Sequence, residues 1–158
     1  MNDDDASEDR LQPFENGQDI RDRTFRFACR VVELCKALQD VGPIARAQVP
    51  QLLAAATSVA ANLEEARAAE STPDFISKCC IALKECREAH VRLKIVDSGH
   101  VGPRDEIQAL RTEAGELVAI ISAIVRNTKQ NAEAKKRHAE AKRDAEAKKK
   151  RSKQRANS

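Results

Sequence analysis

From Ile20 onward apolar residues return every three or four positions, the spacing of one face of an α-helix. Ile20, Thr24, Phe27, Val31, Leu34 and Leu38 form the first stripe, which stops before the breaker pair Gly42-Pro43. This predicts a helix over residues 19–40. A second stripe, Ala45, Val49, Leu52, Ala56, Val59, Leu63 and Ala66, holds Pro50 near its beginning. Proline lacks an amide hydrogen and crowds the preceding turn. The helix therefore either starts near Ala47, with Pro50 in its first turn, or bends there. Ser71-Thr72-Pro73-Asp74 reads as the start of a third helix. It offers the Thr72 hydroxyl as N-cap, proline at the first helical position and a carboxylate in the first turn. Its stripe, Phe75, Cys79, Ala82, Cys86, Ala89, Leu93 and Val96, ends at Ser98-Gly99. A fourth helix is expected from Pro103, with Asp105 and Glu106 in its first turn. It carries Ile107, Leu110, Ala114, Leu117, Ile121, Ile124 and Thr128.

Four helices with one apolar stripe each can bury those stripes only against one another. Short connections make sequence neighbours antiparallel, so residues 19–128 are expected to form an all-α, up-down four-helix bundle. The large aliphatic and aromatic residues are its main stabilisers. Ala54-Ala55-Ala56 and Ala60-Ala61 allow neighbouring helices to approach closely.

The two ends of the chain depart from this pattern. Residues 1–18 are acidic, contain Pro13 and Gly17 and show no helical period, so they are expected to be disordered. Their acidic start without an apolar run is not that of a secretory signal. Beyond Asn127 the large apolar residues vanish and a degenerate repeat takes over: Ala132-Glu133-Ala134-Lys135-Lys136, Ala139-Glu140-Ala141-Lys142-Arg143, Ala145-Glu146-Ala147-Lys148-Lys149. Glu and Lys at three- and four-residue spacing favour helix, but no apolar face remains to dock it. The fourth helix is thus expected to continue as a solvated, fraying extension, with Arg151–Ser158 disordered.

Charge sharpens the division. Residues 129–158 hold 12 Lys or Arg against 4 Asp or Glu, whereas residues 1–128 hold 16 against 21. An acidic body with a basic tail predicts that a polyanion is met mainly by the tail. Lys135, Lys136, Arg137, Lys142, Arg143, Lys148, Lys149, Lys150 and Arg151, followed by Lys153 and Arg155, can neutralise phosphates without reading bases. No aromatic residue lies in the tail to stack on a base. The plainer alternative is a solubilising extension whose interleaved glutamates support helix.

The bundle offers one polar string. Ser58, Asn62 and Glu65 flank the second stripe, and Lys78, Glu85, Glu88 and Arg92 flank the third. They form either a surface that receives a partner or an inter-helix seam whose members satisfy one another or Lys84. Polar flanks on bundles usually take the second role. Cys86 and His90 lie four apart, with Cys79 two turns earlier, and Cys35 could join them. Yet no CxxC or HExxH pattern is present and these cysteines fall on or beside core positions, so no metal is expected. Five cysteines read as reduced thiols packed as small hydrophobes. No nucleophile–base pair, phosphate-cradling glycine loop or Glu-x-x-His pair stands out, so neither catalysis, a cofactor nor a small-molecule substrate is expected. The longest apolar run, Leu117 to Val125, is broken by Ser122 and is too short to span a bilayer. A cytoplasmic protein without membrane contact is expected.

Two longer segments add a resemblance: Gln51-Leu52-Leu53 through Thr57-Ser58-Val59-Ala60-Ala61-Asn62-Leu63-Glu64-Glu65-Ala66, and Asp74-Phe75-Ile76-Ser77-Lys78 through Ile81-Ala82-Leu83-Lys84-Glu85-Cys86-Arg87-Glu88. Asp19-Ile20, Arg23, Phe27-Ala28, Glu113 and Glu116-Leu117 add weaker matches. Over residues 19–128 the chain resembles the bacterial four-helix-bundle proteins encoded by intervening sequences of 23S ribosomal RNA genes. That family is similar in turn to the accessory variability determinant of diversity-generating retroelements. The resemblance implies an up-down bundle, often a homopentamer, without established enzymatic activity. The retroelement relative binds a reverse transcriptase and nucleic acid through a basic surface. This chain departs in carrying Val91-Arg92 where an aromatic pair is common, and in having an acidic bundle. The expectation is a non-enzymatic homo-oligomer that meets RNA or a ribonucleoprotein through its tail. The alternative is a protein–protein adaptor acting through the bundle surface.

Overall fold

The computed structural model describes residues 19–156. The acidic segment 1–18 lies outside the described residues, as do Asn157 and Ser158. Four helices follow in order: α1 (Ile20–Val41), α2 (Pro43–Arg67), α3 (Thr72–Ser98) and α4 (Arg104–Ala156).

Local chemistry explains their boundaries. Asp19 caps α1, its Oδ1 accepting from the Arg21 amide at 2.9 Å. Only Gly42 separates α1 from α2, at φ 155° and ψ 176°, a region that essentially only glycine enters. That turn lets α2 begin at Pro43, where a missing amide hydrogen costs nothing. The start near Ala47 is therefore superseded, and Pro50 sits inside the helix on an exposed position. There the Arg46 carbonyl loses its helical donor beside solvent that can replace it. The cap of α3 is Ser71 rather than Thr72. Ser71 is extended and its Oγ accepts from the Asp74 amide at 3.2 Å, while the Asp74 carboxylate accepts from the Glu70 amide at 3.3 Å. Helix α3 stops at Ser98 as expected, but Gly99 stays right-handed and His100 takes the left-handed conformation (φ 53°). The His100 ring Nδ1 lies 2.8 Å from the Ser98 carbonyl. Helix α4 starts one residue later than expected, with the Pro103 carbonyl accepting from the Ile107 amide at 3.0 Å.

The partners across each seam advance in opposite directions. Along α1 and α2, Arg21 faces Glu64 at 3.8 Å while the Cys35 thiol reaches the Val49 carbonyl at 4.0 Å. Along α1 and α4, Arg23 pairs with Glu113 and Arg30 with Glu106. Between α3 and α4, Cys86 approaches the Ala114 carbonyl and Asp97 pairs with Arg111. Helices α2 and α3 are joined by residues 68–71 and tied by Lys78 and Glu65. The result is an antiparallel four-helix bundle.

Every residue of the four predicted stripes is buried except Thr128, which is half-buried where α4 outruns its neighbours. Phe27, Leu52, Leu93 and Leu117, one from each helix, share a single interior. Alanines at 56, 66, 82, 89 and 114 are fully buried, and their small side chains let the helices approach closely. Among the described residues no helix is long and apolar enough to cross a membrane.

Three thiols belong to this interior. Burial pushes Cys35 up to about 11, and Cys79 and Cys86 up to about 12. Thiolate is the reactive form, so at pH 8 these three should resist iodoacetamide in the folded protein and react on unfolding. Exposed Cys29 should be alkylated readily. Mass mapping before and after denaturant checks this; rapid labelling of Cys79 or Cys86 in the folded state would contradict the packing.

Candidate nucleic-acid interface

Helix α4 is 53 residues long, roughly 80 Å at 1.5 Å per residue. Its first half packs in the bundle, and from Glu133 every residue whose side chain is described is exposed. Alanine, glutamate, lysine and arginine, all strong helix formers, sustain it without tertiary support. The disorder expected from Arg151 does not appear over residues 151–156, which continue the same helix. The side chains of Lys153 and Arg155 lie outside the described residues.

All nine predicted tail cations from Lys135 to Arg151 therefore stand on one projecting arm. Helical geometry sorts them. Lys135, Lys142 and Lys149 are seven apart, and so are Lys136, Arg143 and Lys150. Seven residues nearly complete two turns, so both rows run along one side of the arm with only ~20° of drift per repeat. Arg137, Lys148 and Arg151 fall on the other side, beside Glu133, Glu140 and Asp144. Among the described residues no ion pair joins any of these cations to a carboxylate. Their charge stands in water, free to exchange small counterions for phosphate.

The polar string of the bundle is only partly a seam. Asn62 turns back on its own helix, donating to the Ser58 carbonyl at 2.9 Å and to its Oγ at 3.2 Å. Glu65 crosses from α2 to Lys78 of α3, whereas Glu88 pairs within α3 to Arg92 at 3.1 Å. Glu85 is half-buried, and neither it nor Lys84 joins an ion pair among the described residues. These residues share the α2–α3 flank without converging on a point.

The tie that sequence reasoning missed lies between α1 and α4. Arg23 donates to Glu113 through Nε at 2.7 Å and Nη2 at 2.8 Å, and also to Glu116. Arg30 forks onto Glu106 at 3.0 and 3.1 Å. The guanidiniums are thereby held more firmly protonated. Arg23, Glu113 and Glu116 were visible as scattered resemblances; their 90-residue separation hid the contact.

Cys79 and Cys86 are buried on α3, and the Cys86 thiol leans on the Ala114 carbonyl at 3.6 Å. Among the described residues no three His, Cys, Asp or Glu side chains converge as a metal cluster. A surface cavity of about 80 Å³ lies between Val96, Asp97, His100, Gly102, Arg104 and Ile107. Drug-sized ligands fill roughly 300–1,000 Å³, so it admits little beyond water.

A family model described as 23S rRNA-intervening sequence protein matches residues 17–123. The chain belongs to that family. A solved structure from Bacteroides thetaiotaomicron VPI-5482, described as a protein with unknown function from the S23 ribosomal protein family, is similar to it. The two share 30% sequence identity and superpose with a TM-score of 0.61, covering 67% of this chain and 97% of that one. No curated protein matches. Neither similarity names the retroelement accessory protein. The family match stops at residue 123, ahead of every cation of the arm. The arm is thus an addition to the matched bundle.

Proposed function

We propose that this chain is a non-enzymatic, cytoplasmic, homo-oligomeric interaction protein that engages RNA or a ribonucleoprotein electrostatically through the α4 arm. The observation that carries this reading is a projecting helix whose nine cations have no carboxylate partner among the described residues. Unpaired cations on such a helix supply affinity by counterion release, without base reading. The family description makes RNA the polyanion to try first. Five copies is the assembly size that the resemblance implies. Exposed Phe25, Ile44, Val91 and Ile95 provide apolar surface for such an assembly.

That same surface favours a second reading, an adaptor that binds protein through the bundle and ignores nucleic acid. Retention on immobilised RNA at rising salt separates the two. Full-length protein should bind at 50 mM salt and elute steeply by 200 mM, a range over which 6–10 phosphate contacts lose about 10³–10⁵ in affinity. Protein lacking 129–158 keeps every core residue and should not be retained. Equal retention of both forms would refute the first reading.

A further inference from the structure

The arm is sided, and its sidedness names the ligand more closely. Lys135, Lys142 and Lys149 extend, at the same seven-residue interval, the row Ile107, Ala114 and Ile121 that faces the core. Where the bundle ends the row changes from apolar to cationic without changing sides. With Lys136, Arg143 and Lys150 it forms a stripe about 22 Å long that looks over the open end of the bundle. Glu146 is the one carboxylate within the stripe; Glu133, Glu140 and Asp144 lie off it.

We propose that this stripe, and not the arm as a whole, is the contact face for the phosphate rails of a double-stranded nucleic acid. The inference rests on the reading that the arm binds nucleic acid. Single-strand binders draw much of their affinity from bases stacked on aromatic rings. This arm has none: the four phenylalanines are at 14, 25, 27 and 75, and Trp and Tyr are absent. Its affinity must come from phosphate neutralisation, and a duplex rewards that more. The slope of log K against log salt is about −0.9 per contact on a duplex and −0.7 on a single strand. A straight cationic row also suits a rigid polyanion, because neither side must be reshaped to bring charges together.

The test compares two full-length variants with the same loss of charge. One carries Lys135→Gln, Lys142→Gln and Lys149→Gln on the stripe. The other carries Arg137→Gln, Lys148→Gln and Arg151→Gln on the opposite side. Binding is measured from 50 to 300 mM salt on a 20-base-pair RNA duplex, a DNA duplex of the same length and the separated RNA strand. The wild type should prefer either duplex about ten-fold at 0.1 M salt, from six contacts and the two slopes. The stripe variant should lose at least about ten-fold on the RNA duplex and flatten its slope by about 3, whereas the opposite variant should change less than about three-fold. A preference for RNA over DNA assigns the source. Equal losses in the two variants, or equal affinity for strand and duplex, overturn this inference while leaving the arm's role intact. No loss even on deleting 129–158 overturns the functional reading itself. Circular dichroism on both variants checks that the arm remains helical.

Discussion

Replacing Phe27 by alanine should destabilise the bundle by about 3–5 kcal/mol, the cost of removing a fully buried ring and leaving part of its volume empty. Phe27 is 1% exposed and sits in the same interior as Leu52, Leu93 and Leu117. Stability of a domain is only about 5–15 kcal/mol, so the variant should melt far below the parent or fail to accumulate. Phe25, two positions away on α1, is 63% exposed and provides the control. Its replacement by alanine should shift stability by less than about 0.5 kcal/mol if its ring faces water. Thermal and urea denaturation of the two variants measures both effects. A cost for Phe25 approaching that for Phe27 would mean the ring is covered in the assembled protein, which supports self-association. A mild effect at Phe27 would remove the case for its place in the core.

Gly102→Ala should cost about 2–5 kcal/mol, for two separable reasons. Gly102 has φ 84°, and a left-handed residue bearing a Cβ costs roughly 1–2 kcal/mol. The added carbon would also lie 2.7 Å from Leu38 Cδ2, and forcing extra volume into a packed core costs about 1–3 kcal/mol. Leu38 is fully buried, so it cannot swing into solvent. A Leu38→Ala background isolates the steric part. There the glycine substitution should cost only the backbone part, and urea midpoints across the four variants give the difference. Identical costs in both backgrounds would show that Leu38 does not press on this turn.

Periodicity made the bundle legible because burial and helical spacing leave the same trace in sequence. Each stripe named a buried row, and Thr128 fell short only because its neighbours end before it does. Boundaries depended on backbone torsions that residue types only suggest. Gly42 could adopt φ 155°, so α2 began a full turn before Pro50 seemed to allow. Ser71 took the cap because it was extended there, leaving Thr72 as the first helical residue. His100, not Gly99, absorbed the reversal after α3. The tail's cations were apparent from composition alone. Their division into a stripe and a back required knowing that helix persists through residue 156, which local propensity left open. Ion pairs such as Arg23 with Glu113 depend on two helices meeting in one register, information that no local window contains.

From Glu116 to Ala156 helix α4 contains neither glycine nor proline, so no joint separates the part locked in the interior from the part in water. The seating of Leu117 and Ile121 therefore sets the compass bearing of every lysine beyond it. One residue inserted after Asn127 would swivel the arm by about 100° while leaving its composition almost untouched. Cargo held out there is steered from within the bundle, as a key's teeth are aimed by the bow.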